Sequence, residues 1–174
     1  MSTVAPAKLS TPPKVMAQDI MTTNVLSVYE GWSIKRLSDF FVKHGISGAP
    51  VIASDHQLVG VVSVTDIVRF DSLEQEEKAG LILEQVYPEY LGQHVDPEIF
   101  SQLTNHADEN CTVNSIMTPE VISVEQDTPL TAIARLMYER KIRRIFVTKN
   151  QMMAGVISTS NILKYLGALD NGEN

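Results

Sequence analysis

Ser63, Thr65 and Asp66 close the stretch Gly-Val-Val-Ser-Val-Thr-Asp, residues 60 to 66; Ser158, Ser160 and Asn161 close Gly-Val-Ile-Ser-Thr-Ser-Asn, residues 155 to 161. Each set follows a short apolar run of strand type and precedes an apolar stretch of helical spacing, so each sits where a strand turns into a helix. At such a junction free N–H groups and the positive end of the helix dipole suit an anion, and hydroxyls add donors for phosphate oxygens. A carboxylate there would repel phosphate but can accept two hydrogen bonds from a vicinal diol such as that of ribose. Asp66 against ribose, with Ser63 and Thr65 nearer the phosphates, is a consistent nucleotide site. Asn161, uncharged, is a weaker diol acceptor. The competing reading is capping, since the same residue types satisfy the first N–H groups of a helix and duplication would copy a cap.

The frame for these residues is written twice. Asp19-Ile20-Met21-Thr22 recurs as Ser115-Ile116-Met117-Thr118, and Leu26-Ser27-Val28 as Ile122-Ser123-Val124, both 96 residues on. Ile34, Leu37, Phe40 and Phe41 share their spacing with Leu130, Ile133, Leu136 and Met137, which lines one apolar face of a helix. Ser33 can cap the first helix; Thr128 can cap the second, with Pro129 at its first helical position. His44-Gly45 and Arg140-Lys141 end them. Two β-rich runs follow in each copy, Ala49 to Ile52 with Leu58 to Val62, and Ile145 to Thr148 with Met153 to Ile157; closing helices begin near Thr65 and Ser160. A unit of about 50 residues is too small to be stable alone, so the copies should bury their sheets against each other. The expected fold is α/β, two β-α-β-β-α repeats packed as an intramolecular pseudo-twofold pair. The cleft between the halves is the natural ligand site.

We assign residues 1–14 to a tail, 15–71 to repeat 1, 72–111 to an acidic helical connector, 112–168 to repeat 2 and 169–174 to a second tail. The connector should hold a helix starting near Ser72 to Glu77 and a short one marked by Asp96-Pro97-Glu98 that buries Ile99, Phe100 and Leu103. The repeats differ in charge. Arg140-Lys141-Ile142-Arg143-Arg144 has four cations in five residues where the first copy, from Lys43 to Gly48, has Lys43 and His44. A basic cluster is most often a solvated surface, but beside the serine junctions it suits phosphate.

A net charge of −7 argues against a nucleic-acid partner, whose backbone needs a basic face. The chain has one cysteine, Cys111, so no intrachain disulfide is possible and a reducing cytoplasm fits best. No apolar run approaches the ~20 residues of a membrane span. Catalysis is not expected. Asp108 and Glu109 disfavour a Cys111 thiolate; His94, His106 and Cys111 lack zinc-ligand spacing, and no metal site is expected. Neither a Walker-type loop nor paired catalytic carboxylates occur.

The D-I-M-T and S-I-M-T openings, the G-I-S-G-A-P-V and I-R-R-I-F-V strands, and the G-V-V-S-V-T-D and G-V-I-S-T-S-N junctions, in the same order twice, resemble a tandem pair of cystathionine-β-synthase (CBS) domains, the Bateman module. The resemblance covers about residues 15 to 71 and 112 to 168. It implies a regulatory module binding AMP, ADP or ATP, the last with Mg²⁺ where needed, and no catalytic cofactor. The aspartate equivalent to Asp66 would hold ribose, assisted by Ser63 and Ser158. Thr22, Leu26, Ile46, Ser47, Gly48 and Val61 would surround a base in one cleft. Thr118, Ile122, Ile142, Arg143, Arg144 and Val156 would do so in the other, with Lys141 at the phosphate-binding cation position and Ser160 and Asn161 beside Ser158. Asn161 stands where the family has aspartate, and Gly45 stands opposite Lys141, which points to one strong site. The resemblance also implies a homodimer and a regulated protein in trans; a ligand-free dimerisation module is the alternative.

Overall fold

The computed structural model describes residues 14–86 and 97–170. His94 and Asp96 lie outside them. Each repeat opens with a single helical turn, α1 (Ala17–Ile20) in the first. In repeat 1 there follow β1 (Val28–Tyr29), α2 (Ile34–His44), β2 (Gly48–Ile52), β3 (Leu58–Ser63) and α3 (Val64–Asp71). The connector supplies α4 (Gln75–Val86), α5 (Pro97–Asn105) and α6 (Ala107–Asn110). Repeat 2 has its opening turn α7 (Val113–Ile116), then β4 (Ser123–Glu125), α8 (Leu130–Glu139), β5 (Arg144–Lys149), β6 (Met152–Ser158) and α9 (Thr159–Asp170).

Both repeats form the same three-stranded sheet, orders β1-β2-β3 and β4-β5-β6, with the first pair parallel and the second antiparallel. Even the irregularities match: the register shifts at Val51/Ile52 and at Val147/Thr148. The helix faces are those the spacing predicts. Ile34, Leu37 and Phe41 of α2 and Leu130, Ile133 and Met137 of α8 are buried, while Val42 and Tyr138 point outward. Burying each such side chain is worth roughly 1.5–3 kcal/mol.

The helix ends show where local signals succeed and fail. Ser33 caps α2 by accepting a hydrogen bond from Arg36 N–H at 3.2 Å. In α8 the expected Thr128 cap is absent. Pro129 itself is the N-cap residue, its carbonyl accepting from Ala132 and Ile133, while Thr128 passes its carbonyl to Ala17 N–H at 2.9 Å. Gly45 ends α2 in the left-handed conformation (φ 62°), donating to Phe41 and Val42 carbonyls. Lys141, after α8, has φ 53°. In the connector, Leu103 and Ile82 join a core with Ile34, Phe70 and Cys111. Ile99 is not buried as the sequence suggests but 53% exposed, because α5 meets the core through Leu103.

The repeats exchange their opening segments. Thr22 and Val156 trade both backbone hydrogen bonds (2.9 and 3.0 Å), as do Val61 and Thr118 (2.9 Å each). Ala17, Ile20 and Met21 pack in the core built by Ile133, Met137, Ile145, Val147 and Ile157 of repeat 2. Val113, Ile116 and Met117 complete the core of Val28, Leu37, Val51 and Val62 in repeat 1. Each hydrophobic core therefore draws on both halves of the sequence.

Candidate functional site

The exchange decides which residues meet. By carrying Thr22 across to Val156, it sets the loop from Thr22 to Leu26 beside the β6–α9 junction. A cleft of about 950 Å³ opens there, at the upper end of the range for small-molecule sites. It is lined by Thr22, Leu26, Ile46, Gly48, Val61, Ser63, Ile142, Arg143, Arg144, Val156, Ser158, Ser160 and Asn161. Residues expected in two separate clefts thus share one.

Ser47, Thr65, Asp66, Thr118, Ile122 and Lys141 do not line this cleft. Ser47 is exposed and its carbonyl accepts from Val64 N–H. Thr65 is exposed on the first turn of α3, and Thr118 is held to Val61. Ile122 is exposed beside β5, and Lys141 is exposed between α8 and β5. Asn24, Val25, Ala49, Pro50, Val62, Phe146 and Thr159 also line the cleft and were missed. Strand alternation could have found two of them, since Pro50 and Phe146 stand two residues beyond Gly48 and Arg144, on the same sheet face.

At the first junction, Asp66 Oδ2 accepts from Ser63 N–H (2.8 Å) and Ser63 Oγ–H (2.7 Å), a capping box at the start of α3. Its Oδ1 accepts from Arg69 at 3.1 Å, and that arginine side chain is 69% exposed. At the second junction Asn161 makes the same inward contacts. Its Oδ1 accepts from Ser158 N–H (2.9 Å) and Ser158 Oγ–H (2.5 Å). The amide then adds what a carboxylate cannot, because Nδ2 donates to Ile20 carbonyl (3.0 Å) and Thr22 Oγ1 (3.2 Å) across the repeat boundary. Ser158 N–H can only donate and Ile20 carbonyl can only accept, so the amide orientation is fixed by its partners.

Arg143 and Arg144 are exposed at the cleft, and their guanidinium groups make no hydrogen bond or ion pair among the described residues. The cleft therefore carries positive charge in a chain of net charge −7. The carboxylate suited to ribose and the cations suited to phosphate lie at different junctions.

Cys111 is fully buried, and desolvation pushes its thiol up to about 11, with Lys78 pulling weakly the other way. Burial, not the neighbouring acids, suppresses the thiolate. Among the described residues no group of three or more His, Cys, Asp or Glu is placed to hold a metal ion. No helix among them is long and apolar enough to cross a membrane.

This geometry matches known proteins. The family profile described as CBS domain matches residues 17–72 and again 113–168. The chain belongs to the CBS-domain family and carries the domain as a tandem pair. It is 28% identical over 158 residues to the uncharacterized protein MJ1426 of Methanocaldococcus jannaschii, covering 87% of this chain and 91% of that one. It is 22% identical over 151 residues to MJ1225 of the same organism, covering 87% of this chain but spanning 42% of that relative's length. The crystal structure of CBSX2 in complex with AMP, a protein of Arabidopsis thaliana, superposes with a TM-score of 0.61 at 23% identity. The match covers 89% of this chain and 98% of that one, and establishes the fold.

Proposed function

We propose that this protein is a regulatory module that binds an adenosine nucleotide in the cleft between its two CBS domains and signals to a separate protein. The observation that carries this reading is the pair Arg143 and Arg144, whose guanidinium groups have no partner among the described residues, at a cleft lined by Ser158, Ser160 and a strand-to-helix junction. Guanidinium groups so placed, beside the Ser160 hydroxyl and a helix start, suit a phosphate. The AMP held by CBSX2, a protein of the same fold, supports the choice of nucleotide. Asp66, with Ser63 and Thr65, is the ribose acceptor of a second, less charged position. Binding favours one arrangement of the halves by as much as the ligand's affinities for the two arrangements differ. The crossed backbone pairs link those halves.

A thermal-shift panel of AMP, ADP, ATP, S-adenosylmethionine and cyclic dinucleotides tests this, since any ligand of the folded state raises the midpoint by RT ln(1 + [L]/Kd). Arg144→Ala should weaken AMP about tenfold and adenosine far less, as expected for loss of one charge-assisted contact. Equal losses for both would remove phosphate from Arg144.

A ligand-free dimerisation module is the second reading, carried by apolar side chains exposed along α3 and α9. Val68 is 56% exposed, Leu163 62% and Leu166 50%. An intact homodimer by sedimentation, with no ligand shifting the midpoint, would favour it.

A further inference from the structure

Asn161 is the residue a nucleotide in the arginine-lined cleft would meet at the junction, and its hydrogen-bonding capacity is already spent. A carboxamide oxygen accepts two hydrogen bonds and its nitrogen donates two. Oδ1 takes both of its bonds from Ser158, from N–H at 2.9 Å and Oγ at 2.5 Å. Nδ2 gives both of its protons to repeat 1, to Ile20 carbonyl at 3.0 Å and Thr22 Oγ1 at 3.2 Å. Asp66, its counterpart, keeps acceptor capacity on Oδ1, whose single partner is an exposed arginine.

We infer that the arginine-lined cleft does not read the ribose diol. It takes adenosine monophosphate through phosphate and base and accepts the dideoxy form almost equally, with Asn161 serving as a clamp between the repeats. This rests on the adenylate reading above. Freeing Oδ1 for a sugar hydroxyl would strip Ser158 of an acceptor, and freeing Nδ2 would unpair the Ile20 carbonyl; either exchange breaks one bond to make another. A site with a free acceptor gains on that hydroxyl and loses binding when it is removed.

The test is calorimetric titration of the intact protein, and of Asp66→Ala, with AMP and with 2′,3′-dideoxyadenosine 5′-monophosphate. Both nucleotides are expected to bind within about fivefold of each other in the Asp66→Ala protein. In the unmodified protein, the same result, or a preference for AMP that disappears in Asp66→Ala, supports the inference, the latter by assigning diol recognition to Asp66. A preference above fivefold that survives Asp66→Ala overturns it while leaving adenylate binding intact. Should Asp66→Ala fail to fold, Asp66→Asn, which keeps the side-chain oxygen that accepts from Ser63, replaces it, and a preference above fivefold that survives that substitution overturns the inference. Binding of neither nucleotide by the unmodified protein overturns both readings.

Discussion

Met21 lies against the α-carbon of Gly155, so close that a β-carbon added there would stand 2.6 Å from its sulfur and 2.9 Å from the Thr22 carbonyl. The pseudo-symmetric contact is Met117 against Gly60, at 2.5 Å from the sulfur and 3.1 Å from the Thr118 carbonyl. Glycine is needed at both positions because an opening segment from the other repeat crosses over it. A methionine can swing aside, but the carbonyls belong to the bridges Thr22–Val156 and Val61–Thr118 and cannot.

Gly155→Ala should therefore cost about 1–3 kcal/mol, the usual penalty for overpacking a filled site. Gly31→Ala, with nothing within 4 Å of the added carbon, should stay within about 0.5 kcal/mol. Urea denaturation of the two variants gives the comparison; matching midpoints would show that the crossing is not tight.

Asn161→Asp should destabilise the protein by about 1–3 kcal/mol near neutral pH, because a carboxylate cannot donate to the Ile20 carbonyl and faces it with like polarity. The sign with pH follows. The folded state favours the protonated acid, which can still donate, so the deficit should shrink as the pH falls toward about 4 and grow as it rises. A deficit independent of pH would remove the Ile20 bond from the explanation.

Lys141 has φ 53° where its counterpart Gly45 has φ 62°. A side chain in this conformation costs about 1 kcal/mol, so Lys141→Gly should raise stability by a few tenths to 1 kcal/mol, read from chemical denaturation. Lys141 does not line the cleft, so AMP affinity should fall less than in Arg144→Ala. An equal fall would return Lys141 to the phosphate.

Cys111 should make the protein lose stability in alkali. Its folded thiol is raised to about 11 from an ordinary value of 9.0, so between those values the unfolded chain releases a proton that the folded one keeps. Stability falls across that window by at most about 1.4 kcal/mol per pH unit, and Cys111→Ala, which cannot ionise, should lack this slope. A disulfide reagent should label Cys111 only as fast as the protein opens; rapid labelling of the native state would contradict its burial.

Most of the fold was legible because it is written in local periodicity. The spacing from Ile34 to Phe41 and from Leu130 to Met137 marks a helix face whatever surrounds it, and the paired strands follow each helix in the same order. Ile99 shows the limit. Apolar type alone does not say which face of a short helix meets the core, and α5 meets it through Leu103. Thr128 shows another, because a favoured cap was drawn into pairing with Ala17 instead.

Of the site, the sequence by itself determined the duplicated junctions, the four cations from Arg140 to Arg144 and the change from Asp66 to Asn161, all features of residue type and spacing. The tertiary structure decided the partnerships. Thr22 is 139 residues from Asn161 and hydrogen-bonded to it, and no local pattern encodes a contact between segments so far apart. The crossing of the opening segments places Thr22 and Leu26 with Arg143 and Arg144, and separates those cations from Asp66. Whether Asn161 is a free acceptor or a spent clamp depends on a backbone carbonyl brought from the other repeat, which only the folded chain supplies.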